Sequence, residues 1–88
     1  MMRMFKYTVF VGDGDINVEM PKDAVIRHIG HQNQLEICIW AEVVNTQATS
    51  LRTFRVYGTG HEVAHGGDYL GTVIDGQFVW HLYEQLKP

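Results

Sequence analysis

Leu35-Glu36-Ile37-Cys38-Ile39-Trp40-Ala41-Glu42-Val43-Val44 is the stretch that decides the fold. Leu35, Ile37, Ile39, Ala41 and Val43 fall on one face at a spacing of two. A β-strand turns successive side chains to opposite sides, so this apolar stripe reads as a strand laid on a core. An uninterrupted stripe of that length suits a central strand. The opposite face carries Glu36, Cys38, Trp40 and Glu42. A tryptophan flanked by carboxylates is expected on a second, partly open side of the sheet. Exposed aromatics favour protein contacts, which makes Trp40, Glu36 and Glu42 candidate interface residues.

The same period extends in both directions. Upstream, Ala24 to Gly30 reads as a strand, closed by the His31–Gln34 turn and preceded by the Pro21-Lys22-Asp23 stop. Phe5, Tyr7, Val9 and Val11 alternate with Lys6 and Thr8, and Ile16, Val18 and Met20 alternate with Asn17 and Glu19. The Gly12-Asp13-Gly14-Asp15 turn signal lies between them, so residues 4–20 are expected to form a β-hairpin. Downstream, Asn45–Ser50 reads as a polar loop and Leu51–Tyr57 as a strand, ended by Gly58-Thr59-Gly60. Residues 61–67 read as irregular, and 68–74 with 77–83 as a second hairpin across Asp75-Gly76. No long window shows a helical period. About seven short strands predict a single all-β domain over residues 1–88. It is mainly antiparallel, a small sandwich or a partly closed barrel.

Composition narrows the function classes. A chain of 88 residues has a thin core, so a concave site is shallow or shared with a partner. The net charge of −3 argues against general nucleic-acid binding. The lone Cys38 forms no internal disulfide and reads as a buried thiol. No apolar run reaches the length of a membrane helix and none resembles a signal peptide, so a cytoplasmic protein without membrane contact is expected.

One segment looks like chemistry. His61-Glu62-Val63-Ala64-His65 matches H-E-x-x-H, in which a helix turns both histidines toward zinc and the glutamate serves as general base. Glycines at 58, 60, 66 and 67 bracket it, and so short a helix does not stand alone. A zinc-dependent hydrolase on His61, Glu62 and His65 is therefore the weakest of three readings, and no cofactor is expected. Gly58-Thr59-Gly60-His61 makes the better candidate. Backbone N–H groups of a glycine corner can face an anion, and Arg52, Arg55 and His61 stand near it in sequence. The alternative is a corner that needs glycine for its own geometry. Strand parity places Arg52 and Arg55 on opposite faces, so both enter one pocket only through a bulge. His28 and His31 form an H-x-x-H pair with rings expected on opposite faces. Asp13 and Asp15 lie in a loop too short for an EF-hand.

Arg52-Thr53-Phe54-Arg55-Val56-Tyr57-Gly58-Thr59-Gly60-His61, with Gly71-Thr72 and Gly76–Glu84, resembles a family of small uncharacterised bacteriophage and bacterial proteins. Phe5-Lys6-Tyr7, Val18–Pro21 and Leu35–Glu42 extend the likeness over nearly the whole chain. The resemblance implies a phage or bacterial cytoplasmic origin and assigns no activity. Its pattern runs to Gly-Thr-Gly-His and does not require the glutamate that follows.

The leading expectation is a non-enzymatic binding protein that engages a protein partner, for instance a host protein, and forms a homodimer. The surplus of aromatic side chains over what a thin core hides motivates both. The alternative is a small-ligand module for an anion or nucleotide at the Gly-Thr-Gly-His corner.

Overall fold

The computed structural model describes residues 1–12, 14–63 and 67–85. Seven strands follow one another: β1 (Met2–Phe10), β2 (Ile16–Pro21), β3 (Val25–Gly30), β4 (Glu36–Val44), β5 (Thr49–Gly58), β6 (Gly67–Asp75) and β7 (Phe78–Gln85). They form two antiparallel sheets, ordered β1-β4-β3 and β2-β5-β7-β6. The fold is an open all-β sandwich, not a closed barrel, and no helix occurs among the described residues.

The stripe on β4 is the middle of the smaller sheet. Ile37, Ile39, Ala41 and Val43 are buried and meet Val9 of β1, Met20 and Ala24, Phe54 of β5, Val73 of β6 and Leu82 of β7 in one core. Leu35 departs from the expected stripe. It precedes β4, takes a φ of 63°, and its side chain is exposed. Its N–H donates to Asp75 Oδ2 at 3.2 Å, which ties the head of β4 to the far sheet.

The hairpin expected over residues 4–20 does not form. β1 pairs with β4, from Met2↔Val44 to Phe10↔Glu36, whereas β2 pairs with β5, from Ile16↔Phe54 to Pro21↔Thr49. The segment between β1 and β2 carries the chain from one sheet to the other. Each strand sends one face into the core, and alternation is satisfied equally by pairing side by side and by stacking face to face. Stacking buries Val9 and Met20 against the same core.

The second hairpin forms, with its turn one residue later than the expected Asp75-Gly76: Asp75 ends β6 and the loop is Gly76-Gln77. Asp75 pairs with Phe78 around a two-residue loop whose first residue, Gly76, has φ 61°. A two-residue loop with glycine first is a favoured connection between twisted antiparallel strands. At Gly71 the reason for glycine is space: a Cβ there would lie 2.7 Å from Ile29 Cδ1. This is where β6 and β3 bring the two sheets together.

Candidate functional site

The Gly58–His61 corner closes β5. His61 N–H donates to the Gly58 carbonyl at 3.1 Å, and Gly60 takes a φ of 89°. This is a tight turn that needs glycine at its third residue. The His61 ring folds back over Gly58, whose N–H donates to His61 Nδ1 at 3.3 Å. A Cβ on Gly58 would stand 3.0 Å from the ring, so the stacked histidine depends on that glycine. The corner thus spends the Gly58 N–H internally instead of presenting it to an anion.

Antiparallel pairing of Gly58 with Trp80 brings β7 alongside. Gly58, Thr59 and His61 together with Gln77, Phe78, Val79 and Trp80 enclose an open pocket of about 410 Å³. Phe78 and Trp80 stack with centroids 5.7 Å apart and planes 12° apart. The Trp80 indole N–H is covered by the protein and meets no acceptor. The far side of the corner is polar. Thr59 Oγ1 lies 2.8 Å from His81 Nε2, and His81 Nδ1 lies 2.9 Å from Thr72 Oγ1, which in turn bonds the Tyr69 hydroxyl.

The two arginines lie away from the corner and on opposite faces of β5. Arg52 donates through Nε and a terminal nitrogen to both oxygens of Glu84, at 2.6 and 2.7 Å, and through its other terminal nitrogen to the Ala24 carbonyl. The bond to Glu84 raises the Arg52 pKa above its ordinary value, partly offset by burial. Such a fork holds both partners and leaves few donors for a ligand. Arg55 lies on the outer face, where Nε donates to Asp15 Oδ1 at 2.7 Å. Hydrogen bonding to Tyr57 and the charge of Asp15 raise its pKa. The anion reading of the corner therefore keeps Gly58, Thr59, Gly60 and His61 but not Arg52 or Arg55. Phe78 and Trp80 are the lining residues that sequence reasoning did not reach, because only the β5–β7 register brings them to the corner.

The H-E-x-x-H segment is described only as far as Val63. His61 and Glu62 are exposed and not helical, and His65 lies outside the described residues. Asp13 lies outside them too, and Asp15 is engaged by Arg55. No group of three metal-ligating side chains occurs among the described residues. His28 packs on Trp40 at 5.6 Å, whereas His31 faces Asp75, Nδ1 to Oδ1 4.0 Å.

The Trp40 face is the other candidate. Directly opposed residues on antiparallel strands share a face. Lys6 and His28 thus flank Trp40, Thr8 and Gly30 flank Cys38, Met4 and Val25 flank Glu42, and Phe10 flanks Glu36. Met2, Met4 and Phe10 are 57%, 56% and 62% exposed on this side. Trp40, Glu36 and Glu42 are half-buried. Glu42 accepts from Arg27 and Glu36 from Asn33, so both carboxylates are held at the rim. Cys38 is buried beneath the Gln32 side chain, with its thiol 3.9 Å from Gln32 Oε1.

Residues 1–88 match the model of a domain of unknown function, DUF7352. The chain belongs to the DUF7352 family. No curated protein and no solved structure matches it. Among the described residues of this DUF7352 domain, no helix is long and apolar enough to cross a membrane.

Proposed function

We propose that this DUF7352 chain is a non-enzymatic binding protein that engages protein partners through the outer face of β1-β4-β3. The observation that carries the reading is that Met2, Met4 and Phe10, exposed at the two ends of β1, share one sheet face with half-buried Trp40. Methionines and aromatics are enriched at protein interfaces, and adaptable thioethers suit a contact surface. Pairing of two copies through this face makes the homodimer. The resemblance to phage and bacterial proteins makes a bacterial host protein met in the cytoplasm the first heterologous partner to test. The experiment compares the wild type with Met4→Glu by light scattering and by affinity capture from a bacterial lysate. Loss of both the dimer and a specific captured protein on Met4→Glu, with the fold retained, supports the reading. A monomeric wild type whose captured proteins are unchanged by Met4→Glu removes it.

The pocket at the Gly58–His61 corner favours a second reading, a small-ligand module. With the arginines withdrawn, the corner offers a stacked aromatic wall and one imidazole. A planar ring, such as the base of a nucleotide, fits that wall better than a bare phosphate does. Quenching of tryptophan fluorescence by adenosine, absent in Phe78→Ala, tests it.

A further inference from the structure

The sandwich has four edge strands, and they differ in how they are closed to further pairing. β2 is short and ends at Pro21. β3 carries a bulge between Ile26 and His28, and β6 one between Tyr69 and Gly71. Proline, shortness, bulges and edge charges are the usual means of blunting an edge. β1 has none of the first three, and its one such device is the pair of cations Arg3 and Lys6, which turns away a second copy but not an acidic strand. It runs nine residues, Met2 to Phe10, in unbroken register with β4, without proline, glycine or bulge. No described strand pairs with its other side.

The polarity of that free edge follows from one bond. Val11 N–H donates to the Leu35 carbonyl, which continues the β1–β4 register. Bonded and non-bonded pairs alternate along an antiparallel ladder. Odd-numbered residues of β1 therefore bond β4, and Met2, Met4, Lys6, Thr8 and Phe10 turn their N–H and C=O groups outward.

On β1 itself the charge is of one sign, and the nearest carboxylates, Glu42 and Glu36 of β4, are held by Arg27 and Asn33. Arg27, Arg52 and Arg55 are each paired with a carboxylate. Arg3 and Lys6 have no carboxylate partner among the described residues, and β1 contains no acid. They belong to a chain of net charge −3. A second copy of β1 would set these cations against themselves, and like charges oppose such pairing.

We propose that the free edge of β1 takes up an extended acidic segment of a partner protein as an additional antiparallel strand, with two carboxylates three residues apart meeting Arg3 and Lys6. The spacing of three puts Arg3 and Lys6 on opposite faces of β1, so the partner's acids also lie on opposite faces of its strand. Main-chain bonds to the even-numbered residues supply affinity, and the two charges supply register. This rests on the protein-binding reading above and names the chemistry of the partner.

The probe is a fluorescein-labelled Val/Thr peptide of about ten residues, the length of an ordinary strand, carrying two glutamates three positions apart. Anisotropy is read at physiological salt with the full chain. Saturable binding in the range of about 10–100 µM is expected. It is weakened by about tenfold or more in Arg3→Glu/Lys6→Glu. It is lost in Thr8→Pro, which removes an outward N–H and spares the β4 ladder. The double charge variant keeps the test decisive should the proline variant unfold. Equal binding of the matching peptide with lysines in place of glutamates overturns the proposal, as does binding unchanged in the charge variant. A wild-type dimer that becomes monomeric in Thr8→Pro also overturns it, by giving the edge to a second copy. No peptide binding, with partner capture still lost in Met4→Glu, refutes the edge proposal alone and leaves the face reading standing.

Discussion

The outer faces of the two sheets are finished differently. On β2-β5-β7-β6 the side chains answer one another. Asn17 accepts from Thr53, Asp15 from Arg55, and His81 joins Thr59 to Thr72. Tyr57, Tyr83 and Tyr69 meet edge to face at 5.4 and 5.5 Å. The exposed apolar residues there are Leu51 opposite Glu19, Ile74 opposite Val79, and Tyr69 within the tyrosine cluster. On β1-β4-β3 Lys6 reaches Gln32 and Arg27 reaches Glu42, Trp40 stands between Lys6 and His28, and the exposed apolar groups sit at the two ends of β1, Met2 with Met4 at one and Phe10 at the other. An exposed apolar group is ordinary by itself, and on this face only Met2 and Met4 are neighbours along β1. The contrast is one of self-bonding: polar and ring contacts run across one outer face and are sparse on the other, and the proposed partner-binding face rests on that difference.

Substitution on the self-bonded face should cost folding stability. Tyr83 touches two tyrosine rings, and Tyr83→Ala is expected to lower unfolding free energy by about 2 kcal/mol, less than a fully buried ring because Tyr83 is half-exposed. Urea denaturation reads it. An unchanged midpoint would break the contrast at its strongest point. His81→Ala on the same face leaves Thr59 and Thr72 without their shared partner and is expected to cost about 1 kcal/mol.

The open face should behave in the reverse way. Met4→Glu is expected to change stability by no more than about 0.5 kcal/mol while it removes self-association. A large loss of stability in the monomeric protein would mean that this face, too, is internal structure.

The smallest effect lies beneath the open face. Tyr7 points toward the core side of β1, and burial raises its hydroxyl pKa above the ordinary value of 10.0. Below pH 10 the hydroxyl is neutral in folded and unfolded chains alike, so its full contribution is present. As pH rises past 10 the unfolded chain ionises first, and folded stability declines until the folded pKa is passed. Tyr7→Phe should flatten the alkaline limb of a pH-dependent melting series.

Much of this contrast was written in the chain as alternation. Ile37, Ile39, Ala41 and Val43 showed their burial, and Trp40 its position opposite them, because strand parity is local. Parity also separated Arg52 from Arg55. The Asp75-Gly76 turn signal is equally local, which is why the β6–β7 hairpin was legible, although it did not fix the loop at Gly76-Gln77. What alternation does not carry is the identity of the neighbour. The β1–β2 segment looked like a hairpin because a turn within a sheet and a crossing between sheets ask for the same residues. Glu84 as partner of Arg52, and Phe78 with Trp80 as the wall of the corner pocket, depend on the register between β5 and β7, strands far apart in sequence. The free edge of β1 was hidden for the same reason: a strand becomes an edge only when the order of the sheet is known.

The crossing between β1 and β2 also sets a schedule. β6 with β7 and β3 with β4 join through short turns and can zip up early. β1 must wait for β4 to close Met2 onto Val44, and β2 for β5 to close Pro21 onto Thr49. Each wait confines a long loop before any contact repays the lost freedom. Refolding should accordingly take milliseconds to seconds, the regime of non-local β topologies, and not microseconds. The strand with the open edge is then among the last to be secured, and among the first to come loose.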